Sequence, residues 1–175
     1  MRSVPQWQKS KGWLIATAAL ELSSNQVTHF YSRTKNTKEM IRLASTLVEK
    51  YRDAETLYLS WDAASWHMSK ELLAFVNQHN SDGDRIPKLE LVPLPASAQF
   101  LNVIESVFSG MARAIIHSSD YTSVTAAMEA IDRYFEERNR YFLENPKRAG
   151  KKIWGLERTE ASFAVSNNCK DPAYR

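Results

Sequence analysis

The chain has 175 residues, of which 43% are hydrophobic and 25% are charged, which is ordinary for a soluble globular protein of one domain. Its single cysteine, Cys169, excludes an internal disulfide, and no apolar run approaches the ~18 residues of a membrane span. The N-terminus has no apolar signal core, so we expect a cytoplasmic protein with no membrane partner. The formal charge of +3 permits an anionic partner without requiring one.

The first part of the chain predicts a hairpin followed by a helix. Residues 13–22 are apolar and suit a strand or a short helix, whereas residues 26–32 alternate and are rich in β-branched and aromatic side chains, as strands are. The sequence SSNQ at 23–26 supplies turn residues, so we expect the two segments to pair. Residues 37–51 place their apolar side chains on one helical face, with Asn36 as the N-cap.

The middle of the chain alternates between strands and helices. The apolar run at 57–61 is typical of a strand buried on both faces, and it ends at an acid, Asp62. Residues 69–80 predict a helix that is closed by the turn SDGD. Residues 88–94 alternate and predict a strand that is stopped by prolines.

Two further helices complete the predicted domain. Apolar side chains at helical spacing mark the third helix (Phe100, Ile104, Val107, Phe108, Met111, Ile115) and the fourth (Val124, Met128, Ile131, Phe135, Phe142). The order of elements predicts an α/β fold, with a mixed sheet flanked by helices. We divide the chain into a loose N-terminal segment at 1–11, a domain at 12–156 and a weakly ordered tail at 157–175.

Two carboxylates are placed to form a metal site. Asp62 ends a strand, at the edge of the sheet where open α/β folds place their chemistry, and Glu105 lies in the third helix. Because Glu105 shares a helical ridge with Leu101 and Phe108, we expect it at the border of the apolar stripe rather than on the solvent face. Magnesium and manganese prefer oxygen ligands, and two such ions can drive phosphodiester chemistry.

Each of these residues also has a purely structural interpretation. An aspartate just past a strand is commonly a helix cap or a turn residue, which would account for Asp62. Asn102 and Glu105 have the spacing of a capping box. His67 follows Asp62 closely, but a histidine is more often a surface or packing residue than a ligand. Residue spacing by itself leaves these alternatives open.

Three segments together resemble mariner-type transposases of bacterial insertion sequences. LSWDAASWH at 59–67 is similar to their strand with an acid and a nearby histidine, and LVPLPASAQFLNVIESVF at 91–108 is similar to their segment with the last catalytic acid. ENPKRAGKKIWG at 144–155 resembles the C-terminal segment of bacterial members. The resemblance implies a ribonuclease-H-like fold and the DDE mechanism, in which three carboxylates hold two Mg2+ (or Mn2+) ions for DNA cleavage and strand transfer. It makes Asp62 the second acid and Glu105 the third, and it places His67 at the DNA.

The chain also departs from that family. Ala63 stands where the family usually has Asn, and Val103 replaces a Pro. The strand with the first acid, which in the family lies in the middle of the sheet, has no counterpart, and neither does the helix-turn-helix DNA reader. We therefore expect the C-terminal part of a catalytic domain that lacks its first, central strand. Such a sheet exposes two unpaired strand edges, so we also expect self-association or pairing with the missing N-terminal segment.

The basic stretch at 146–152 is a candidate DNA contact. It holds Lys147, Arg148, Lys151 and Lys152, with Trp154 just beyond, and clustered cations bind phosphate while a ring can stack on a base. A solvated tail is the alternative.

Two functions are consistent with these observations. The first is part of a DDE transposase catalytic domain, inactive alone because one acid is missing. The second is a non-catalytic DNA-binding or assembly remnant that pairs with a full-length transposase. An unrelated α/β hydrolase is disfavoured, because the sequence has five glycines and contains neither a Gly-rich phosphate loop nor a nucleophile elbow.

Overall fold

The structure is a computed structural model that describes residues 9–61, 69–83, 87–94 and 102–150. The described residues form four strands and four α-helices, in the order β1 (Ile15–Glu21), β2 (Gln26–Ser32), α1 (Thr37–Lys50), β3 (Thr56–Leu59), α2 (Lys70–Ser81), β4 (Lys88–Leu91), α3 (Ile104–Met111) and α4 (Val124–Glu144). A π-helical segment, Ala112–Ile116, extends α3. The predicted mixed α/β class and order of elements are therefore confirmed, whereas the predicted domain limits and the ribonuclease-H-like arrangement stay predictions.

The strands form two separate two-stranded sheets. β1 pairs with β2 in an antiparallel hairpin, with Thr17 opposite Phe30 and Glu21 opposite Gln26. The turn closes through Asn25, whose φ of 60° lies in the left-handed region that asparagine tolerates. β3 pairs with β4 in parallel, and the hydrogen bond from the Leu94 amide to the Trp61 carbonyl continues this ladder past the strand ends. The hairpin prediction is confirmed, and the segment at 13–22 proves to contain a strand rather than a helix.

Three of the four α-helices begin at a residue whose side chain caps the helix. Asn36 caps α1 by accepting the Glu39 amide, as expected, and Ser69 and Ser123 cap α2 and α4 in the same way. α3 begins differently, because Val103 precedes it and gives no side-chain cap. The capping-box interpretation of Asn102 and Glu105 is therefore wrong.

The helices cover opposite faces of the hairpin. α1 packs its buried face against Ala19 and Phe30, whereas α3 and α4 pack against Ala18 and Leu20 around the fully buried Phe135. Since successive residues of a strand point to opposite faces, these contacts place α1 on one side of the hairpin and α3 with α4 on the other. No helix in the described ranges is long and apolar enough to cross a membrane.

The prediction that the strand at 57–61 is buried on both faces is wrong. Leu57 and Leu59 pack into the cores under α1 and α2, but the intervening Tyr58 is 73% exposed. Among the residues that the structure describes, no helix covers the face of β3 on which Tyr58 lies, so this apolar run forms a strand that is buried on one face only.

Candidate functional site

A cavity of about 690 Å3 separates the two sheets. Seven consecutive residues at 17–23 form one wall and six consecutive residues at 56–61 form the other. Because side chains alternate between the faces of a strand, a wall made of every successive residue is a strand presented edge-on. We call this cavity the inter-sheet slot. Met40, Leu43 and Leu47 of α1 line one side of it, and residues 102–104 also line it.

Each of the two predicted acids directly follows, in the sequence, a residue that lines this slot. Asp62 lies outside the described residues, but Trp61, which directly precedes it, is buried and lines the slot. Glu105 lies in the first turn of α3, and Ile104, which directly precedes it, also lines the slot. The residues before both acids thus meet at one cavity, at the end where β3 and β4 finish.

Glu105 is exposed rather than at the border of the apolar stripe, so that prediction is wrong. α3 buries Val107 and Met111. Glu105 lies two residues before Val107, so in a helix of ~3.6 residues per turn its side chain is rotated by about 200° from that of Val107, to the opposite side of α3. Among the described residues its carboxylate has no hydrogen bond or ion pair, so it is free to accept a ligand. A free carboxylate of this kind suits a divalent cation, which needs anionic oxygen donors.

The predicted DNA-binding residues fall partly outside the described ranges. His67, Lys151, Lys152 and Trp154 lie there, and their assignment stays a prediction. Lys147 and Arg148 are described and exposed.

Arg148 also lines the inter-sheet slot. The next residue, Ala149, is buried and donates its amide to the Leu22 carbonyl over 2.8 Å, just past the end of β1. This backbone hydrogen bond ties the start of the basic stretch to the wall of the slot.

A second carboxylate, Glu21, lies on the slot and was not among the candidates from sequence. Ser23 and Ser24 donate hydroxyl hydrogen bonds to it, and Tyr51 donates another over 3.0 Å. Burial by itself raises the pKa of the Glu21 carboxyl, but these hydrogen bonds and the Lys50 charge outweigh burial and lower that pKa. The same burial, together with the nearby carboxylate, raises the pKa of Tyr51.

Glu21 is a fully hydrogen-bonded structural anion, in contrast to Glu105. The sequence signal was present in the ELSS segment, in which two hydroxyl residues follow the acid at a turn. Their convergence with Tyr51, from another element, could not be predicted from that segment.

The described residues contain no cluster of three or more histidine, cysteine, aspartate or glutamate side chains that could hold a metal ion. A family model described as DDE superfamily endonuclease matches residues 2–126, which is more than half of the chain. No curated protein matches the chain.

Proposed function

Because the chain belongs to the DDE superfamily of endonucleases, we propose that it is part of a transposase catalytic domain, of the mariner-type bacterial group that its motifs resemble. Endonucleases of this superfamily act on DNA and use divalent metal ions. The observation that carries the proposal is the meeting of Trp61 and Ile104 on one cavity, since each directly precedes a proposed acid. Asp62 and Glu105 are then the second and third acids of the site.

Mg2+ or Mn2+ is the metal that these residues fit best. Glu105 offers an exposed carboxylate without a protein partner in the described ranges, and Asp62 supplies a second carboxylate. Carboxylates are the oxygen ligands that these hard cations prefer. When bound, two such ions activate the attacking water or hydroxyl and stabilise the leaving oxygen. Asp62 follows β3 in the sequence, and Glu105 lies in the first turn of α3.

We further propose that the fold is ribonuclease-H-like and that the strand with the first acid is absent from these 175 residues. The separation of the four strands in the described ranges into two sheets supports this, because the family's first strand lies in the middle of the sheet. A metal site short of one anionic ligand positions its ions poorly, and catalysis depends on that positioning. The chain alone is therefore inactive, and a segment with the first acid, fused or added separately, restores activity.

Nicking of supercoiled plasmid tests this proposal. We expect no metal-dependent nicking by the 175-residue chain, and nicking once the acid-bearing segment is fused to its N-terminus. In the fused protein, Asp62→Ala and Glu105→Gln should each abolish nicking, whereas Glu90→Gln, on an exposed position of β4, should not. Nicking by the unfused chain that Asp62→Ala removes would show that other residues complete the site. A fused protein that binds DNA without nicking it would favour the non-catalytic remnant.

The basic stretch gives a second test, on DNA binding. We propose that Lys147, Arg148, Lys151 and Lys152 contact phosphates and that Trp154 stacks on a base. His67 is a further proposed DNA contact. Each phosphate contact adds about 0.9 to the slope of log affinity against log salt for duplex DNA, so neutralising all four cations should lower that slope by up to ~4. The matched control neutralises four exposed cations elsewhere (Arg33, Lys35, Lys38, Lys70). Equal slopes in the two variants would favour the alternative interpretation, in which the basic stretch is a solvated tail that does not contact DNA.

A further inference from the structure

The last two turns of α4 carry a row of three stacked side chains. The Arg138 guanidinium lies 4.8 Å from the centroid of the Phe142 ring. The Phe142 ring in turn meets the Tyr141 ring edge-to-face, with 5.2 Å between the two centroids and 81° between the ring planes. Both arrangements are favourable for aromatic rings. We call these three side chains the α4 platform, and its outer member, Tyr141, is 57% exposed.

The inner end of the α4 platform is fixed to the hairpin. Arg138 donates two hydrogen bonds to Asn25, one to the backbone carbonyl over 2.7 Å and one to the side-chain oxygen over 2.5 Å. Asn25 is only 6% exposed and lies in the turn between β1 and β2. Because each member of the row is held by the next, the Tyr141 ring is positioned before a ligand arrives. A preorganised group loses less conformational entropy on binding.

The chain turns back directly after the α4 platform and returns to the same hairpin turn. The backbone amide and the side-chain amide of Asn145 both donate to the Tyr141 carbonyl, over 2.8 and 3.0 Å. Four residues later, Ala149 donates its amide to the Leu22 carbonyl over 2.8 Å. Residues 146–148 are therefore held between two backbone contacts, close to the platform.

This part of the chain is strongly basic. Residues 138–150 carry four cations and one acid, so their formal charge of +3 equals that of the whole chain. Arg140, Lys147 and Arg148 are exposed, and none of them has an ion-pair partner among the residues that the structure describes. Unpaired cations of this kind attract phosphates. The exposed ring of Tyr141 thus lies in a stretch with three free cations.

Such a surface suits single-stranded DNA better than a protein. The core of a protein interface is depleted in charged residues, whereas a site for a single strand combines cations along the backbone with rings on which bases stack. In a closed duplex each base is already stacked on its neighbours, so an exposed ring finds a free base face only on an unpaired strand.

We propose that the Tyr141 ring stacks on an unpaired DNA base while Arg140 and Lys147 contact phosphates of the same strand. This inference rests on the proposed function, in which the chain binds DNA, and it assigns to the end of α4 the contact with a strand that has left the duplex. Every base has a face on which a ring can stack, so this contact has little sequence preference.

Binding of the complete chain to a short oligothymidylate, followed by fluorescence anisotropy, measures this contact. Tyr141→Ala should weaken binding about 5- to 150-fold, the range expected when one base loses its aromatic partner. Tyr141→Phe keeps the ring and should bind within about twofold of the parent. The matched control is Leu143→Ala, which removes an apolar side chain that is 68% exposed two residues further along α4, and it should bind as the parent does.

A strand of the same length without bases separates stacking from any other effect of the substitution. The parent and Tyr141→Ala should bind this abasic strand equally, because the contact that is lost needs a base. Relaxed closed-circular duplex DNA, used as a competitor, should also bind both proteins equally. Both Asn145 hydrogen bonds go to the backbone of Tyr141, so Tyr141→Ala should remain folded, which circular dichroism checks.

Three results would overturn the inference. The first is equal binding of oligothymidylate by the parent and Tyr141→Ala. The second is a loss of the same size on the abasic strand, which would assign Tyr141 to a backbone contact or to the fold. The third is an equal loss in Leu143→Ala, which would indicate an apolar surface for a protein partner.

A variant that combines Lys147→Gln with Arg148→Gln distinguishes this inference from the proposed function. If that variant binds both the oligothymidylate and the circular duplex more weakly than the parent, DNA binding by the basic stretch stands, and unchanged binding by Tyr141→Ala contradicts the stacking contact alone. If the double variant also binds both forms as the parent does, the proposed DNA contact of Lys147 and Arg148 fails as well.

Discussion

Asn139 offers the sharpest test of how this fold manages its strand edges. Its side chain accepts the Val27 amide and donates to the Val27 carbonyl, each over 2.8 Å, and Val27 is only 3% exposed. The substitution Asn139→Asp keeps the size and shape of the side chain. It retains the acceptor for the amide but turns the donor into a second oxygen, directed at the Val27 carbonyl oxygen.

The expected loss follows from those two contacts. One hydrogen bond with a net value of about 1 kcal/mol is removed, and a buried carbonyl is left without its donor at a cost of about 1–3 kcal/mol. Asn139→Asp should therefore lower the free energy of unfolding by about 2–4 kcal/mol. Small domains are stable by only about 5–15 kcal/mol, so this is a large fraction of the total.

Urea unfolding followed by circular dichroism measures this change. The matched control is Asn77→Asp, on an exposed position of α2, which should stay within about 0.5 kcal/mol of the parent. Below about pH 4 the carboxyl that Asn139→Asp introduces becomes neutral and can donate again, so the difference from the parent should shrink. If Asn139→Asp is as stable as Asn77→Asp at neutral pH, the outer edge of β2 does not depend on this side chain.

Two further predictions concern the contact between α4 and the hairpin. Phe135 is 1% exposed at the centre of the core, so Phe135→Ala should cost about 3–5 kcal/mol in urea unfolding, whereas Leu143→Ala at a 68% exposed position of the same helix should cost little. Burial by itself raises the pKa of Asp132, but hydrogen bonds from a tyrosine and a histidine of β2 outweigh it and lower that pKa. A lowered folded-state pKa stabilises the fold above the ordinary value of about 4, and this stabilisation is lost as the pH falls through the folded-state pKa. Asp132→Asn should therefore be less stable than the parent at pH 7 and should converge with it toward pH 3, and a constant difference across this range would contradict the assignment.

The sequence alone determined the kind and order of the elements. Alternation in 26–32 and apolar spacing in 37–51 report the local period of the backbone, and Asn36 marks a helix start through a hydrogen bond to the Glu39 amide, three residues away. The motif around Glu105 also indicated the family, because it lies within one continuous segment. These signals are local, so they can be interpreted without knowing which segments contact each other in the fold.

Only the tertiary structure decided which backbone edges and side chains meet. The exposure of Tyr58 and Glu105 depends on which faces the helices cover, and the convergence of Glu21 with Tyr51 joins residues that are 30 positions apart. The pairing of Asn139 with Val27 spans 112 positions. Periodicity shows whether a segment has an apolar face but not what covers that face. The composition of a strand likewise does not show whether its edges are paired. The slot between β1 and β3 is therefore a property of the assembled fold, because it lies between two sheets that are not hydrogen-bonded to each other.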